Sequence, residues 1–95
     1  GVPMRNRETR AHEQAEVTAE RLNALLMQRG VSVYQFAGHI DTNAQTVYRW
    51  LRGDVSPRAE LLVAICEAYG VSADWLLGLS DSMGAAPRRR TRDGD

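Results

Sequence analysis

Apolar residues recur along this chain at helical spacing, in runs separated by short polar or glycine-bearing breaks. Leu22, Leu25 and Leu26 make the stripe of a first helix that Gly30 stops. Glu8 to Ala19 lacks glycine and proline and is rich in helix formers, so this helix is expected to start as early as Thr9. Ser32 reads as the N-cap of a second helix, ending near Ile40 with Phe36, Ala37 and Ile40 inward. Asp41, Thr42 and Asn43 break the pattern, and Asn43 is expected to cap a third helix by accepting from the N–H of Gln45 or Thr46. That helix turns Val47, Trp50 and Leu51 inward and ends at Gly53. Ser56 and Pro57 predict the N-cap and first residue of a fourth helix, carrying Leu61, Leu62, Ile65, Cys66 and Tyr69 to Gly70. Ser72 caps a short fifth helix closed by Trp75 and Leu76, and residues 80–95 are expected to form a disordered tail.

Two short helices around a three-residue break, with small Ala37 at their closest approach, form a helix-turn-helix pattern. In that arrangement the second helix of the pair can enter a DNA major groove. The surrounding marks are Gly30, Ser32, Thr46-Val47, Trp50, Gly53, Pro57, Ala68-Tyr69-Gly70-Val71-Ser72 and Asp74-Trp75-Leu76-Leu77. In this order they resemble the Cro/cI-type (XRE-like) helix-turn-helix repressor family. The resemblance implies an all-α, five-helix lambda-repressor-like DNA-binding domain over residues 16–79, with an N-terminal arm or helical extension in 1–15 and an Arg-rich tail in 80–95. It implies a sequence-specific DNA-binding transcription regulator, acting as a homodimer on a palindromic or pseudo-palindromic double-stranded operator. Dimers of this kind place half-sites about 34–36 Å apart. The sequence departs from the family pattern at Val33, where a Gln is common, at Asp41 for the turn glycine, and at Leu51 for a Glu; Asp54 also brings a negative charge near the expected DNA backbone.

Charge adds little as a sum and more as a distribution. Twelve basic residues, all arginine, balance twelve acids. From Asn43 to Arg58 the only acid is Asp54, against Arg49, Arg52 and Arg58, while Glu13, Glu16, Glu20, Glu67 and Asp74 are expected to lie elsewhere. Arg5, Arg7 and Arg10 form a basic arm, and Arg88, Arg89, Arg90 and Arg92 a basic tail, either of which could follow a DNA backbone or simply solubilise the terminus.

With the inward residues removed, the third helix presents Ala44, Gln45, Tyr48, Arg49 and Arg52. Gln45 suits the paired edge of adenine, Arg49 that of guanine, and Ala44 a thymine methyl; Tyr48 has a hydroxyl to donate. The residues matching Ala44, Gln45 and Arg49 commonly face base edges in the family. Ser32, Asn43, Arg52 and Arg58 are candidate phosphate contacts, the first two through helix N-termini. About four to six such contacts per half-site would cost a dimer roughly a hundredfold in affinity over a fourfold rise in salt. Leu77, Leu79 and Met83 are the candidate dimer surface. Ala11, Ala15, Thr18, Leu22 and Leu25 also fall at spacings suited to a weak dimer seam, against the simpler expectation of a solvent-exposed extension.

Ninety-five residues allow one domain, leaving no room for a separate sensing domain, so regulation is expected from concentration, proteolysis or a partner. Gly1-Val2-Pro3 ahead of Met4 reads as a cloning remnant. The single Cys66 permits no internal disulfide and is expected to be a buried reduced thiol. No apolar run suits a membrane span or signal peptide, which predicts a cytoplasmic protein. His12 and His39 lack ligand-spaced partners, and no phosphate loop or nucleophile set occurs, so neither metal, cofactor nor enzymatic activity is expected. The Arg52-Gly53-Asp54 tripeptide is read as chance. Two rivals stand: an antitoxin of a toxin–antitoxin pair, and a protein-interaction module such as an antirepressor, for which an exposed Leu51 and the acidic first helix would provide the surface.

Overall fold

The computed structural model describes residues 7–84, in which five helices and no strand surround one core. They are α1 (Arg7–Arg29), α2 (Val33–His39), α3 (Ala44–Leu51), α4 (Ala59–Tyr69) and α5 (Ala73–Leu76). Leu22 and Leu25 from α1, Phe36 from α2, Val47 from α3, Ile65 from α4 and Leu76 from α5 are all fully buried, with Val71 filling the α4–α5 link. Helices α2 to α5, none longer than 11 residues, are too short to be stable alone, and packing against the long α1 and one another holds the set together.

The first helix is already formed at Arg7, the first described residue, and its N-terminal half is more than a solvated extension. Ala15, Thr18 and Ala19 are buried with Leu22, Leu25 and Leu26. The Thr18 hydroxyl donates to the Leu76 carbonyl at 2.9 Å, and Gln14 Nε2 donates to the Leu77 carbonyl at 3.0 Å. These bonds satisfy carbonyls that the end of a four-residue helix leaves open. A dimer seam through Ala15, Thr18, Leu22 and Leu25 is thereby ruled out, because this chain's own core already covers them.

Helix α4 starts later than the Ser56-Pro57 pair predicts. Arg58 is its N-cap, with extended φ −68° and ψ 162° and no side-chain cap, and its carbonyl accepts from the N–H groups of Leu61 and Leu62. Ser56 and Pro57 lie outside the helix, and the partly buried Val55 ahead of them packs against the core. Gly70 ends α4 in the left-handed conformation, φ 68°, its N–H donating to the Cys66 carbonyl at 2.8 Å. Cys66 is buried, and burial, with the nearby Glu67 charge, pushes its thiol above the ordinary value.

Residues 80–84, expected in the tail, are held against the domain. Arg21 lies 5.1 Å from the Trp75 ring centroid and donates to the Ser80 carbonyl, while Ser72 N–H donates to the Met83 carbonyl at 3.0 Å. Backbone acceptors and one methionine do this work, which apolar periodicity cannot register. Arg7 and Arg10 stand exposed on the first turn of α1, whereas Arg5 and the cluster Arg88, Arg89, Arg90 and Arg92 lie outside the described residues. No helix among the described residues is long and apolar enough to cross a membrane.

Candidate nucleic-acid interface

The α2–α3 pair is fixed by local chemistry at three points. Ser32 accepts from Gln35 N–H at 3.0 Å while its own N–H donates to Gln35 Oε1 at 2.9 Å, a reciprocal capping box. Asp41 takes the left-handed conformation at φ 61°, a geometry that Asp tolerates better than most residues, and Thr42 N–H reaches back to the Ala37 carbonyl at 2.9 Å. Asn43 then caps α3, its Oδ1 accepting from Thr46 N–H at 2.8 Å. Phe36, Ala37 and Ile40 face Val47 and Trp50, all buried, so the orientation of α3 is set by its inner side.

On the outer side Gln45, Tyr48 and Arg49 are exposed, and Ala44 is half-buried beside them. Arg49 has no ion-pair partner among the described residues. Arg52 is different: its guanidinium holds Asp54 through Nε at 3.1 Å and Nη2 at 3.0 Å. This exposed pair leaves Arg52 partly neutralised and keeps Asp54 from standing alone near the face. Arg58 is exposed and 3.7 Å from Glu60. The side chains of Ser32 and Asn43 are committed to their caps, so what those helix ends offer outward is first-turn backbone N–H, not side-chain oxygen.

Two charge and exposure expectations change. Leu51 is half-buried and packs on the core, in keeping with its inward spacing on the third helix, so the exposed apolar contact that the interaction-module rival requires is not there. Glu16 and Glu20 do not lie apart from the α3 end; they line a groove of about 550 Å³ with Arg52, Gly53 and Asn23. Gly53 is called for by its left-handed φ of 80° and not by space, since a Cβ there would make only an ordinary contact, 3.7 Å from the Glu16 Cα.

The helix-turn-helix family pattern matches residues 22–76, more than half of the chain and all five helices in whole or part. This protein belongs to the Cro/cI-type (XRE) helix-turn-helix family. Members of that family are DNA-binding transcription regulators. The fold is similar to that of the P22 c2 repressor protein, solved in complex with synthetic operator 9T in the presence of Tl+, with a TM-score of 0.64 and 22% identity over 67% of this chain and 97% of that one. No curated protein matches.

Within this helix-turn-helix protein the candidate dimer residues differ in setting. Leu79 is 75% exposed, Leu77 is half-buried with its carbonyl bound by Gln14, and Met83 is half-buried on the chain's own core. Several residues that shape the interface escape simple pattern reading. Asn23 on α1 reaches the Leu51 carbonyl at 3.1 Å. Arg29 donates to the Tyr69 carbonyl at 2.6 Å, and His39 Nδ1 shares a short hydrogen bond with the Tyr69 hydroxyl, tying the end of α2 to α4. Burial raises the Tyr69 phenol above its ordinary value, while the Arg29 charge pulls the other way. The capping box did have a sequence signal, Ser32-x-x-Gln35.

Proposed function

We propose that this protein is a sequence-specific repressor that binds a (pseudo)palindromic operator as a homodimer. The observation that carries the reading is the row of Gln45, Tyr48 and Arg49, exposed on a helix whose opposite face is locked by Val47 and Trp50. A helix held this way can present a fixed set of donors to base edges, as direct readout demands. Gln45 pairs with adenine, Arg49 with guanine, Ala44 meets a thymine methyl, and Tyr48 donates from the edge of the set. Arg58, the N–H groups beside Ser32 and Asn43, and Arg52 once released from Asp54 contact phosphates.

Dimerisation is assigned to the α5 end, with exposed Leu79 at its centre, Leu77 beside it and Met83 at its margin. The DNA-binding unit spans residues 16–79, and the protein works in the cytoplasm. Binding over a promoter would repress by occlusion. Selection from random duplex DNA near physiological salt tests the reading. Enrichment of an inverted repeat with A and G at readable positions supports it; sequence-indifferent retention alone would refute it.

A further inference from the structure

Residues 7–21 of α1 precede the part of the chain that the family pattern matches, residues 22–76. They carry a shallow hollow of about 280 Å³ formed by Arg10, Glu13, Gln14 and Val17. Gln14 is pinned there by its bonds to Thr18 and to the Leu77 carbonyl. Gly78 lies directly on Val17: its φ is 83°, and a Cβ there would overlap Val17 Cγ1, so glycine is needed on both counts. The next residue, Leu79, is thereby set beside the hollow, yet it is 75% exposed and does not fill it.

The charges around these two features are opposite. Leu79 gives its N–H to the carbonyl of Asp74 at 2.7 Å, and the Asp74 side chain is exposed without an ion pair among the described residues. Asp81, two residues further on, is fully exposed and meets Arg21 only at 3.7 Å. At the rim of the hollow Arg10 is exposed and has no ion-pair partner among the described residues.

We infer that Leu79 of one copy seats in the α1 hollow of a second copy, with Arg10 of that copy against the Asp74–Asp81 edge. Leucine and hollow belong to one patch, so a two-fold axis makes the contact twice. Asn23 and Glu16, which meet the end of α3, lie on a different side of α1, so this docking leaves Gln45 and Arg49 free. The inference rests on the homodimer reading above and gives the N-terminal part of α1 a share in the contact. Two seated leucines bury far less than the roughly 1,200 Å² of a stable interface. Association is therefore weak in free solution and strengthened when two copies stand side by side on one duplex.

The test mixes two full-length variants, Glu13→Cys and Leu79→Cys, under mild oxidation, with and without the selected duplex, and reads covalent dimer on a non-reducing gel. Cys66 is buried, and wild type gives the background. The mixture should cross-link faster than either variant alone. Arg10→Glu added to the Glu13→Cys variant should slow the reaction about threefold or more, as an attraction becomes a repulsion. Leu79→Cys cross-linking alone as fast as the mixture would overturn the proposal in favour of leucine meeting leucine. A rate indifferent to Arg10→Glu, or a mixture no faster than wild type, would overturn it as well. Sedimentation separates this from the reading beneath it: a wild-type dimer without the cross-link defeats this contact alone, whereas a monomer both free and on the duplex defeats the homodimer itself.

Discussion

Asn23 on α1 donates its side-chain amide to the carbonyl of Leu51, the last residue of α3, at 3.1 Å, and to the Ala19 carbonyl at 2.8 Å. One amide group thereby joins the long helix to the open C-terminal end of the helix that carries Gln45 and Arg49. Replacing Asn23 with Ala should cost about 0.5–1.5 kcal/mol, the net worth of such a bond. Asp should cost more, since a carboxylate would face two carbonyl oxygens without a donor. Urea denaturation measures the loss. Amide exchange should quicken first at Gly53 and Asp54, whose N–H groups close the end of α3 on Trp50 and Arg49.

Ala37 is buried with Phe36 and Ile40 where α2 meets α3. A larger side chain there must push the two helices apart, because packed interiors have no slack. Ala37→Leu is expected to destabilise by about 1–3 kcal/mol. It should also weaken DNA binding beyond any shortfall in folded protein, as the displaced α3 carries its donors with it. Thermal melts and titrations on fully folded protein separate the two effects; a variant as stable as wild type would disprove the close contact.

Much of this arrangement was legible because it is encoded within a few residues. Asn43 and Ser32 stand where caps are needed, Gly70 where a left-handed residue ends α4, and Asp41 at the one non-glycine left-handed position among the described residues. The inward set Val47 and Trp50 follows from helical periodicity alone, and its complement gives Gln45, Tyr48 and Arg49. What the sequence hides is the partner of each polar group. Thr18 falls in an apolar-looking stripe, yet its hydroxyl is used by the Leu76 carbonyl. Spacing turns Leu51 inward while its departure from the family pattern suggests an exposed contact, and only its packing on the core beside the α1 wall decides for the first. The start of α4 is hidden because the Ser-Pro pair is a valid cap signal, while Arg58, whose carbonyl is the first acceptor, caps without any side-chain bond that a sequence could show.

Stability should decline in alkali. The Cys66 thiol is raised above its ordinary value of 9.0, mainly by burial, so the folded state favours the neutral form. The sign follows from linkage: a raised folded value means the native state holds its proton longer, and stability falls as pH climbs above the unfolded value. The contribution is complete below pH 9 and disappears as pH passes the folded value. Tyr69 acts in the same direction from its higher ordinary value of 10.0. Urea midpoints measured from neutral pH upward should drop, and Cys66→Ala should flatten the onset of that drop while lowering stability throughout by its lost packing. A Cys66→Ala profile parallel to that of wild type would exclude the thiol as the cause.

Arg49 and Gln45 are exposed, and Arg49 is free of ion pairs among the described residues, so neither contributes much to the fold. Ala at either site should shift stability by no more than about 0.5 kcal/mol. Each substitution should nevertheless remove about 1–3 kcal/mol of discrimination at one base position of the selected operator, relaxing preference for guanine with Arg49→Ala and for adenine with Gln45→Ala. Arg49→Lys keeps the charge but loses the planar fork, so non-specific affinity and salt slope should persist while guanine preference weakens. Arg52→Ala should behave in the opposite way, weakening binding to all duplexes with little change in preference, and less than a free arginine would because Asp54 already holds part of its charge. Measuring each variant on the selected site and on single-base changes of it assigns the roles; uniform loss from Arg49→Ala across all sites would place that residue on phosphate and not on a base.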